Sequence, residues 1–340
     1  MSLTNRQWLL ASHPKSLVTS DVLQLRESPV PVLEDGQALA RVKYFSIDPT
    51  MRIWMTDIPQ YMPPVQLGEV MRALGLAEIT ESRNPNFKKG DKLSGLTGLQ
   101  EFVLLTGKEH LPFQKLPSIP FVSDSVFLGA LGMNGMTAYF GLLDLGKPQT
   151  GETLVVSAAA GATGSLVGQI GKIHGCRVVG IAGSDEKCTW LRDGLGFDAA
   201  INYKHPDWKT QLVAATPNGV DINFENVGGE IMQAVLERMN LHGRVVICGL
   251  ISSYTKAGST TEDPTLSSFA QILMKRLRVE GFIILDYASK FGDAAKKMGM
   301  WKMTGKLKDK YTIVKGFQKA PEAINMLFDG SSTGKLLVEL

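Results

Sequence analysis

The sequence predicts an α/β protein in which a doubly wound parallel sheet follows a smaller, mostly antiparallel β domain. Its length of 340 residues exceeds what one hydrophobic core normally holds, so we expect two domains. Strand-like alternation and turn residues fill roughly the first 125 residues, whereas strands and helices alternate from Phe127 onward, as in parallel sheets covered by helices. A glycine-rich turn between Leu154 and Lys187 indicates where this sheet would bind a ligand.

The first domain, predicted for residues 1–125, consists of short strands. Ala38 to Phe45 alternates as a strand does, Phe87 to Leu93 is a turn that leads into a strand, and Leu99 to Leu105 is a further strand. Prolines favour loops and edge strands in this region. These prolines are Pro59, Pro63, Pro64, Pro112, Pro117 and Pro120.

The second domain, predicted for residues 126–305, begins with a helix over Ser125–Leu145 that breaks near Gly132–Gly135. Alternating strands and helices follow at Thr153–Ser157, Gly164–His174, Arg177–Ala182, Asp185–Leu195, Ala199–Asn202, Trp208–Ala215, Val220–Glu225, Gly229–Met239 and Gly243–Ile247. Arg278 to Leu285 is predicted to be a late strand of the same sheet. Residues 306–340 contain two strand-like stretches, which we expect to return to the first domain.

The stretch from Leu154 to Lys187 predicts a strand, a glycine turn, a helix and a second strand. The turn runs from Ala158 to Gly164 with the pattern AxxGxxG, the helix covers Ser165 to His174 with Gly175 as its cap, and Cys176 to Ile181 is a buried strand. This order is typical of a dinucleotide-binding βαβ unit, in which the glycines let the backbone approach a pyrophosphate at the helix N-terminus. The alternative is a glycine-rich turn in an ordinary α/β protein.

The end of the second strand indicates which dinucleotide would bind. NAD-binding folds usually place a carboxylate there for the ribose 2′-hydroxyl, but this strand ends in Ala182-Gly183-Ser184. We expect Ser184 to be the N-cap of a helix that begins at Asp185. Lys187 then stands in its first turn, an unfavourable place for a cation unless an anion is near. A 2′-phosphate would be that anion, so NADPH is favoured over NADH, and the alternative is a solvated surface lysine.

Composition excludes several other classes of protein. The chain is 44% hydrophobic and 20% charged, and its 36 basic and 33 acidic residues give a net charge of +3, too balanced to indicate a nucleic-acid partner. The three cysteines show neither metal spacing nor a disulfide framework, which favours a reducing cytoplasm. The N-terminus lacks the features of a signal peptide. The uncharged stretch Thr153 to Gly171 contains four glycines and is interpreted as the cofactor turn, not as a membrane span.

Polar or glycine-rich residues follow three further predicted strands: Asn202-Tyr203, Asn226 to Gly229, and Gly249 to Tyr254. Because the carboxyl ends of parallel strands share one edge of a sheet, these motifs should form a single crevice. No CxxC, HxxxH or HExxH pattern occurs, and the five histidines are scattered, so no zinc site is expected.

Several motifs resemble the zinc-independent medium-chain dehydrogenase/reductase superfamily, and within it the NADPH-dependent 2-alkenal, prostaglandin and curcumin reductases. They are AAAGATGSLVGQIGKIHGCRVVGIAGSDEK, FENVGGE, ICGLISSY and STGKLLVEL, together with Ser46 to Arg52 and Leu131 to Tyr139. The resemblance covers nearly the whole chain. It implies a GroES-like β domain and a Rossmann domain, with the active site in the cleft between them.

The resemblance also implies roles for individual residues. Tyr254 would lie near the reacting carbonyl, and Tyr61, Thr50 and Arg52 would contact the substrate. The implied cofactor contacts are Gly161, Ala162, Thr163 and Gly164 at the pyrophosphate; Lys187 and Tyr203 at the 2′-phosphate; Met133, Thr137 and Asn226 at the nicotinamide half; Cys248, Gly249, Phe282 and Ile284 around its pocket; and Ser332. Ser184, a small residue at the end of the second strand, would make room for the 2′-phosphate.

This chain departs from the family pattern at three places. Thr50 stands where the family usually has tyrosine, which removes an aromatic wall of the substrate pocket. Ser332 replaces an asparagine that commonly precedes the final Gly-Lys, which weakens one cofactor contact. Gly68-Glu69-Val70 stands where zinc-dependent relatives carry Gly-His-Glu, which is consistent with the loss of the metal.

The implied reaction is reduction of a carbon–carbon double bond conjugated to a carbonyl, with hydride delivered to the β carbon of an unsaturated ketone or aldehyde. Tyr254 would donate a hydrogen bond to the carbonyl oxygen, where negative charge builds up; the alternative is that it only shapes the pocket. An NADPH:quinone reductase of the same superfamily and a non-catalytic NADPH-binding protein are the competing hypotheses. A homodimer is expected, since edge pairing near Arg278 to Leu285 would cover an apolar strand.

Overall fold

The computed structural model describes residues 3–109, 111–117, 123–255 and 266–340. The chain divides into two compact units. The first unit combines Met1–Leu128 with Tyr311–Leu340, and the second unit is Gly129–Lys310. The division predicted from the sequence, with limits at residues 125 and 305, differs from this one by a few residues.

The described residues form fifteen strands. In chain order they are β1 (Thr4–Leu10), β2 (Leu23–Pro29), β3 (Ala38–Ser46), β4 (Leu74–Ser82), β5 (Lys92–Leu96), β6 (Phe102–Leu105), β7 (Gln114–Lys115), β8 (Thr153–Val156), β9 (Arg177–Ala182), β10 (Ala199–Asn202), β11 (Val220–Glu225), β12 (Met239–Ile247), β13 (Arg278–Gly281), β14 (Tyr311–Lys315) and β15 (Lys335–Glu339).

Nine α-helices lie within the same described ranges. They are α1 (Thr50–Trp54), α2 (Met133–Phe140), α3 (Ala162–Ile173), α4 (Asp185–Thr189), α5 (Trp208–Ala215), α6 (Gly229–Arg238), α7 (Leu266–Lys275), α8 (Phe291–Met303) and α9 (Ala320–Asp329).

The first unit is built on a mostly antiparallel sheet with the strand order β14-β15-β3-β4-β5-β7, in which β6 also pairs with β3. Only the pair of β14 and β15 is parallel among its described strands. β1 and β2 form a separate antiparallel pair. The predicted antiparallel β domain is confirmed, and the two C-terminal strands return to it as expected.

The second unit is built on a parallel sheet with the order β10-β9-β8-β11-β12-β13, which is the doubly wound order of dinucleotide-binding folds. β8 lies near its centre with all four residues buried, because helices cover both faces of such a sheet and apolar side chains then stabilise either face. The predicted Rossmann-type parallel sheet is therefore confirmed.

The helix predicted over Asp185–Leu195 is α4 followed by a π-helix at Trp190–Gly194, and two further elements differ from the sequence prediction. The helix expected over Ser125–Leu145 is a 3₁₀ segment at Asp124–Leu128, then α2, and then a π-helix at Gly141–Gly146. The chain turns tightly before α2 and brings the Ala130 carbonyl oxygen close to the first turn of this helix. A Cβ at Gly135, within α2, would lie 1.8 Å from that oxygen. The strand expected over residues 278–285 ends at Gly281, because Phe282 packs against Gly141 of the π-helix.

Candidate functional site

The carboxyl ends of the parallel strands define a candidate site within the second unit. β9 and β10 lie on one side of β8, whereas β11 and β12 lie on the other. The strand order therefore reverses between β8 and β11, and doubly wound sheets bind ligands outside the strand ends at that point. The loops after β8, β9, β10, β11 and β12, with the first turns of the helices that follow them, carry most of the residues predicted to bind a cofactor.

The turn between β8 and α3 is shaped for close approach of an anion. Ala158 has a φ of 47°, the left-handed conformation that glycine adopts most easily, which explains why related turns have glycine there. A Cβ at Gly164 would lie 2.5 Å from the Ala158 carbonyl oxygen, so only glycine fits. Gly161 is the N-cap of α3 and supplies no capping side chain. The first amides of α3 therefore suit a pyrophosphate, with Ala162 and Thr163 in its first turn.

A second corner of the site forms where β9 and β10 end. Ser184 is the N-cap of α4, and its hydroxyl accepts a hydrogen bond from the Lys187 amide at 3.3 Å, as predicted. The Tyr203 ring lies beside Gly183, since a Cβ there would be 3.1 Å from the ring. Ser184, Lys187 and Tyr203 thus lie at adjoining strand ends, where the Lys187 ammonium and the Tyr203 hydroxyl are the groups predicted to bind a ribose 2′-phosphate.

A cluster that the sequence interpretation missed connects the loops of this corner. The Asn202 side-chain amide donates to the Asp185 carboxylate at 2.9 Å, and His205 Nε2 lies 3.0 Å from the same carboxylate. The hydrogen bond from Asn202, supported by the His205 contact, lowers the pKa of Asp185 below its ordinary value. Both partners therefore hold a charged Asp185 in place, two residues before Lys187.

The loop after β11 is joined to the loop after β8. The Asn226 amide donates to the Ser157 hydroxyl at 2.8 Å, and the Asn226 side-chain nitrogen donates to the Ser157 carbonyl oxygen at 2.7 Å. Ser157 in turn donates to Glu225 at 2.7 Å. Asn226, predicted to contact the nicotinamide half, is thereby held at the centre of the crevice.

The loop after β12 packs against the loop that carries Asn226. The Ile251 amide donates to the Asn226 carbonyl oxygen at 3.1 Å. The Tyr254 hydroxyl oxygen accepts a hydrogen bond from the Leu250 amide at 3.0 Å, and this hydroxyl lies 3.1 Å from the position of a Cβ at Gly249. The structure therefore brings together Tyr254, Gly249 and Asn226.

Cys248 lies at the start of this loop, and its amide donates to the Glu225 carbonyl oxygen at 2.9 Å. Burial raises the pKa of its thiol to about 12, with a smaller contribution from the Glu225 charge. A protonated thiol is a poor nucleophile, so this pKa gives no support for a nucleophilic role of Cys248.

The remaining predicted contacts of the second unit lie on two other elements. Met133 and Thr137 are on α2, where the Thr137 hydroxyl donates to the Met133 carbonyl oxygen at 2.8 Å. α2 reaches the turn of α3, because the Asn134 side chain donates to Thr163 at 3.3 Å. Phe282 packs on Gly141 and meets the ring of Tyr287 edge to face, and Ile284 begins a 3₁₀ segment.

The predicted substrate residues lie in the first unit. Thr50 is the first residue of α1, and its hydroxyl pairs with that of Tyr61 at 2.6 Å. The Tyr61 oxygen also accepts from the Trp54 indole at 3.0 Å, and burial raises the pKa of Tyr61. Thr50 and Trp54 thus orient the Tyr61 hydroxyl. Ser332 belongs to the same unit, where its hydroxyl donates to the Met326 carbonyl oxygen at 3.4 Å.

Arg52 lies in a place that does not favour its predicted substrate contact. Only 2% of the residue is exposed, and its guanidinium donates to the carbonyl oxygens of Pro14 at 2.6 Å and Ser16 at 3.0 Å. Burial lowers its pKa. These contacts give Arg52 a structural role, in which it fixes the segment near Pro14 against α1.

Comparison with known proteins gives a consistent result. A model described as the N-terminal domain of oxidoreductase matches residues 6–112, and a model described as zinc-binding dehydrogenase matches residues 162–316. The chain is 40% identical over 338 residues to the NADPH-dependent curcumin reductase of Escherichia coli (strain K12), covering 99% of this chain and 97% of that protein. It is 36% identical to prostaglandin reductase 1 of Mus musculus, with 98% of each chain covered.

Two further similarities concern a plant enzyme and a solved structure. The chain is 36% identical to the 2-alkenal reductase (NADP(+)-dependent) of Nicotiana tabacum, over 99% of this chain and 97% of that protein. The crystal structure of CurA from Vibrio vulnificus in complex with NADPH superimposes with a TM-score of 0.92 at 41% identity, and 98% of each chain is covered.

The chain belongs to the medium-chain dehydrogenase/reductase family of NADPH-dependent reductases.

The comparisons confirm three predictions: the family that the motifs resemble, the two-part fold, and NADPH as the cofactor. The roles of the individual site residues stay predictions. In the part of the chain that the structure describes, no group of three or more His, Cys, Asp or Glu side chains could hold a metal ion. No helix among the described residues is long and apolar enough to cross a membrane.

Proposed function

We propose that this member of the medium-chain dehydrogenase/reductase family uses NADPH to reduce the carbon–carbon double bond of α,β-unsaturated ketones and aldehydes. The observation that carries the proposal is similarity over 98–99% of the chain to reductases named for curcumin, prostaglandins and 2-alkenals. Curcumin and 2-alkenals share one chemical feature, a carbon–carbon double bond conjugated to a carbonyl group. Hydride addition at the β carbon is the reduction that this feature favours.

The residues of the crevice have distinct roles in this proposal. Gly161 to Gly164 bind the pyrophosphate through helix amides, Lys187 and Tyr203 bind the 2′-phosphate, and Asn226 contacts the nicotinamide half. Bound NADPH supplies the hydride. Cys248, Gly249, Phe282 and Ile284 are proposed to shape the nicotinamide pocket, with Met133 and Thr137 approaching it from α2.

Tyr254 is the proposed donor to the substrate carbonyl. Its oxygen accepts a hydrogen bond from the Leu250 amide at 3.0 Å, and this polarises the O–H group, which strengthens it as a donor. Hydride addition at the β carbon places negative charge on the carbonyl oxygen, and an oriented donor stabilises that charge more than it stabilises the neutral ketone. Tyr61 and Thr50 are the proposed substrate contacts of the first unit.

The proposed reaction requires no zinc ion. Conjugation already makes the β carbon electrophilic, so a Lewis acid on the carbonyl is not essential. Two observations support this part of the proposal: the sequence has no zinc-binding motif, and the described residues contain no cluster of three candidate metal ligands.

We also propose that the protein is a homodimer formed through one edge of the parallel sheet. β13 is the last strand of that sheet. Apolar side chains are exposed on β13 and on α7, which precedes it: Val279 is 39% exposed, and Phe269, Leu273 and Met274 are 57%, 73% and 69% exposed. Pairing with a second copy would cover this apolar edge.

We also propose that the protein is located in the reducing cytoplasm, and the three free cysteines support this location.

The experiment that tests the function follows loss of NADPH absorbance with 3-nonen-2-one, beside a benzoquinone and beside NADH. We expect turnover of the enone with NADPH, little turnover with NADH, and a product saturated at the former double bond. Turnover of the quinone alone would replace the proposal by the quinone reductase alternative. Binding of NADPH without turnover of a panel of enones, alkenals and quinones would favour the non-catalytic alternative.

A further inference from the structure

Glu225, the last residue of β11, has a carboxylate buried at the floor of the crevice. The residue is 0% exposed. Its Oε1 accepts three hydrogen bonds, from the Ser157 hydroxyl at 2.7 Å, the Val227 amide at 2.7 Å and the Gly228 amide at 2.9 Å. Its Oε2 accepts a fourth from the Asn223 side chain at 3.2 Å. No lysine or arginine among the described residues forms an ion pair with it.

A carboxylate buried without a cation is costly, and hydrogen bonds must offset the cost. Here two of the donors are backbone amides of the turn that follows β11, in which Gly228 and Gly229 have φ values of 78° and 57°. Successive amides in such a turn form a concave anion site. The carboxylate therefore stabilises a left-handed backbone that begins at Gly228, two residues after Asn226.

The same carboxylate also fixes the loop after β8. The Ser157 hydroxyl donates to Glu225 and at the same time accepts from the Asn226 amide at 2.8 Å. The Asn226 side-chain nitrogen donates to the Ser157 carbonyl oxygen at 2.7 Å. Because that nitrogen faces Ser157, the Oδ1 atom of Asn226 points away from Ser157 and can accept a hydrogen bond from a ligand.

We propose that Glu225 is a positioning residue that acts through Ser157, orienting Asn226 so that its Oδ1 accepts a hydrogen bond from the carboxamide N–H of bound nicotinamide. The inference rests on the proposed cofactor site and extends it to a residue that touches neither cofactor nor substrate. Glu225 and Ser157 therefore determine how tightly the nicotinamide half binds, whereas the adenosine half binds through other loops.

The test compares three ligands by isothermal titration calorimetry. 2′,5′-ADP reports on the adenosine half, NADP⁺ reports on both halves, and the 3-acetylpyridine analogue of NADP⁺ replaces the carboxamide nitrogen by a methyl group. The main variant is Ser157→Ala, which removes only the hydroxyl that connects Glu225 with Asn226. Thr153→Val is the matched control, because it removes a buried hydroxyl from the first residue of β8, the strand that Ser157 follows.

We expect Ser157→Ala to weaken NADP⁺ binding by about tenfold, which corresponds to roughly 1.4 kcal/mol, with 2′,5′-ADP within about twofold of the wild type. The affinity for the acetylpyridine analogue should fall much less than the affinity for NADP⁺, because the analogue lacks the N–H group that donates to Asn226. Glu225→Gln keeps an oxygen for Ser157 and the two amides. Its new Nε2 faces Asn223, whose Oδ1 has no hydrogen-bond partner and can turn to accept from it, so this variant should bind like the wild type. Glu225→Leu should reproduce or exceed the loss in Ser157→Ala.

Equal weakening of all three ligands by Ser157→Ala would overturn the inference, because it would indicate general damage to the sheet edge. An unchanged affinity for NADP⁺ would overturn it as well. These results are separate from the proposed function. If Ser157→Ala weakened the binding of NADP⁺ but not of 2′,5′-ADP, and the wild type did not reduce enones, the inference would be supported and the proposed reaction contradicted. A wild-type chain that binds 2′,5′-ADP as tightly as NADP⁺ would contradict the inference and leave enone reduction to be judged by the turnover assay.

Discussion

The unfavourable position of Lys187 at the start of a helix indicates the kind of ligand that it binds. It follows Asp185 and Glu186 in the first turn of α4, where the helix dipole favours anions and disfavours cations. A bound 2′-phosphate reverses this balance, because the phosphate becomes the anion at the helix start and the lysine becomes its partner. Asn202 and His205 meanwhile hold the neighbouring Asp185 carboxylate by hydrogen bonds.

Replacement of this lysine should change cofactor preference. We expect Lys187→Ala to raise the KM for NADPH by about 10- to 100-fold, since hydrogen bonds to charged groups contribute about 1.5–3 kcal/mol, and to leave the KM for NADH nearly unchanged. Steady-state kinetics with both cofactors measure this. Lys209→Ala is the control, because it removes an exposed lysine of α5 that pairs with Glu230 of α6. A similar rise in both KM values would contradict the assignment of Lys187 to the 2′-phosphate.

Tyr254 offers the corresponding test for catalysis. We expect Tyr254→Phe to lower kcat with the enone by about 10²-fold or more and to change its KM little, because the donor stabilises charge that exists only in the transition state. The affinity for NADPH and the melting temperature should stay near wild type. An unchanged kcat would show that Tyr254 only shapes the pocket.

At the scale of residues, the sequence could predict the roles of side chains that interact with near neighbours in the chain. Ser184 and Lys187 lie within one helical turn, so N-capping and the dipole argument suffice. Glu225 and Ser157 are 68 positions apart, and their hydrogen bond exists only because β8 and β11 are neighbours in the sheet. Arg52 was predicted to contact substrate, but its partners Pro14 and Ser16 come from a segment that no motif associates with it.

At the scale of elements, the glycines of α3 and α8 have opposite consequences. Gly164 lies where a Cβ would be 2.5 Å from the Ala158 carbonyl oxygen, whereas a Cβ at Gly299, within α8, would have nothing within 4 Å. The first glycine is required by close backbone approach, and the second only lowers helix propensity. One kind of substitution therefore separates the two effects.

We expect Gly164→Ala to destabilise the protein by about 1–3 kcal/mol, because the added methyl group forces the turn to shift, and to weaken NADPH binding. Gly299→Ala should instead stabilise it by up to about 1 kcal/mol, since alanine favours a helix interior. Urea unfolding gives the free energies, and NADPH titration gives the affinities. Equal stability of both variants would contradict the close approach of Ala158 and Gly164.

The βαβ unit could be predicted because its strand, turn and helix patterns are contiguous in the sequence. The π-helix at Gly141–Gly146 could not be predicted in this way, since it includes Gly141, on which Phe282 packs from a distant segment. The same packing removes Phe282 from β13 and shortens the strand that the apolar pattern predicts. Periodicity does not distinguish a buried strand from an apolar segment that leaves the sheet.

At the scale of the whole molecule, the exposed edge of the parallel sheet determines the expected oligomeric state. We predict a homodimer by light scattering coupled to size-exclusion chromatography. Leu273→Glu on α7 should yield a monomer, because a carboxylate would be buried at the interface without a partner. Met303→Glu places the same charge on another exposed apolar position, 76% exposed on α8, and should remain dimeric. A wild-type monomer, or a dimer in both variants, would contradict the proposed interface.

The first unit is discontinuous along the chain, and this affects the order of events during protein synthesis. The second unit, Gly129–Lys310, leaves the ribosome before Tyr311–Leu340, which the first unit needs. Until β15 emerges, Tyr44 to Ser46 of β3 lack a partner on one edge, while Tyr44 and Phe45 still pair with β4 on the other. An unpaired strand edge promotes wrong association. The second unit can therefore finish folding before the last strands of the first unit have been synthesised. We expect a stalled or truncated nascent chain to need chaperone protection at β3.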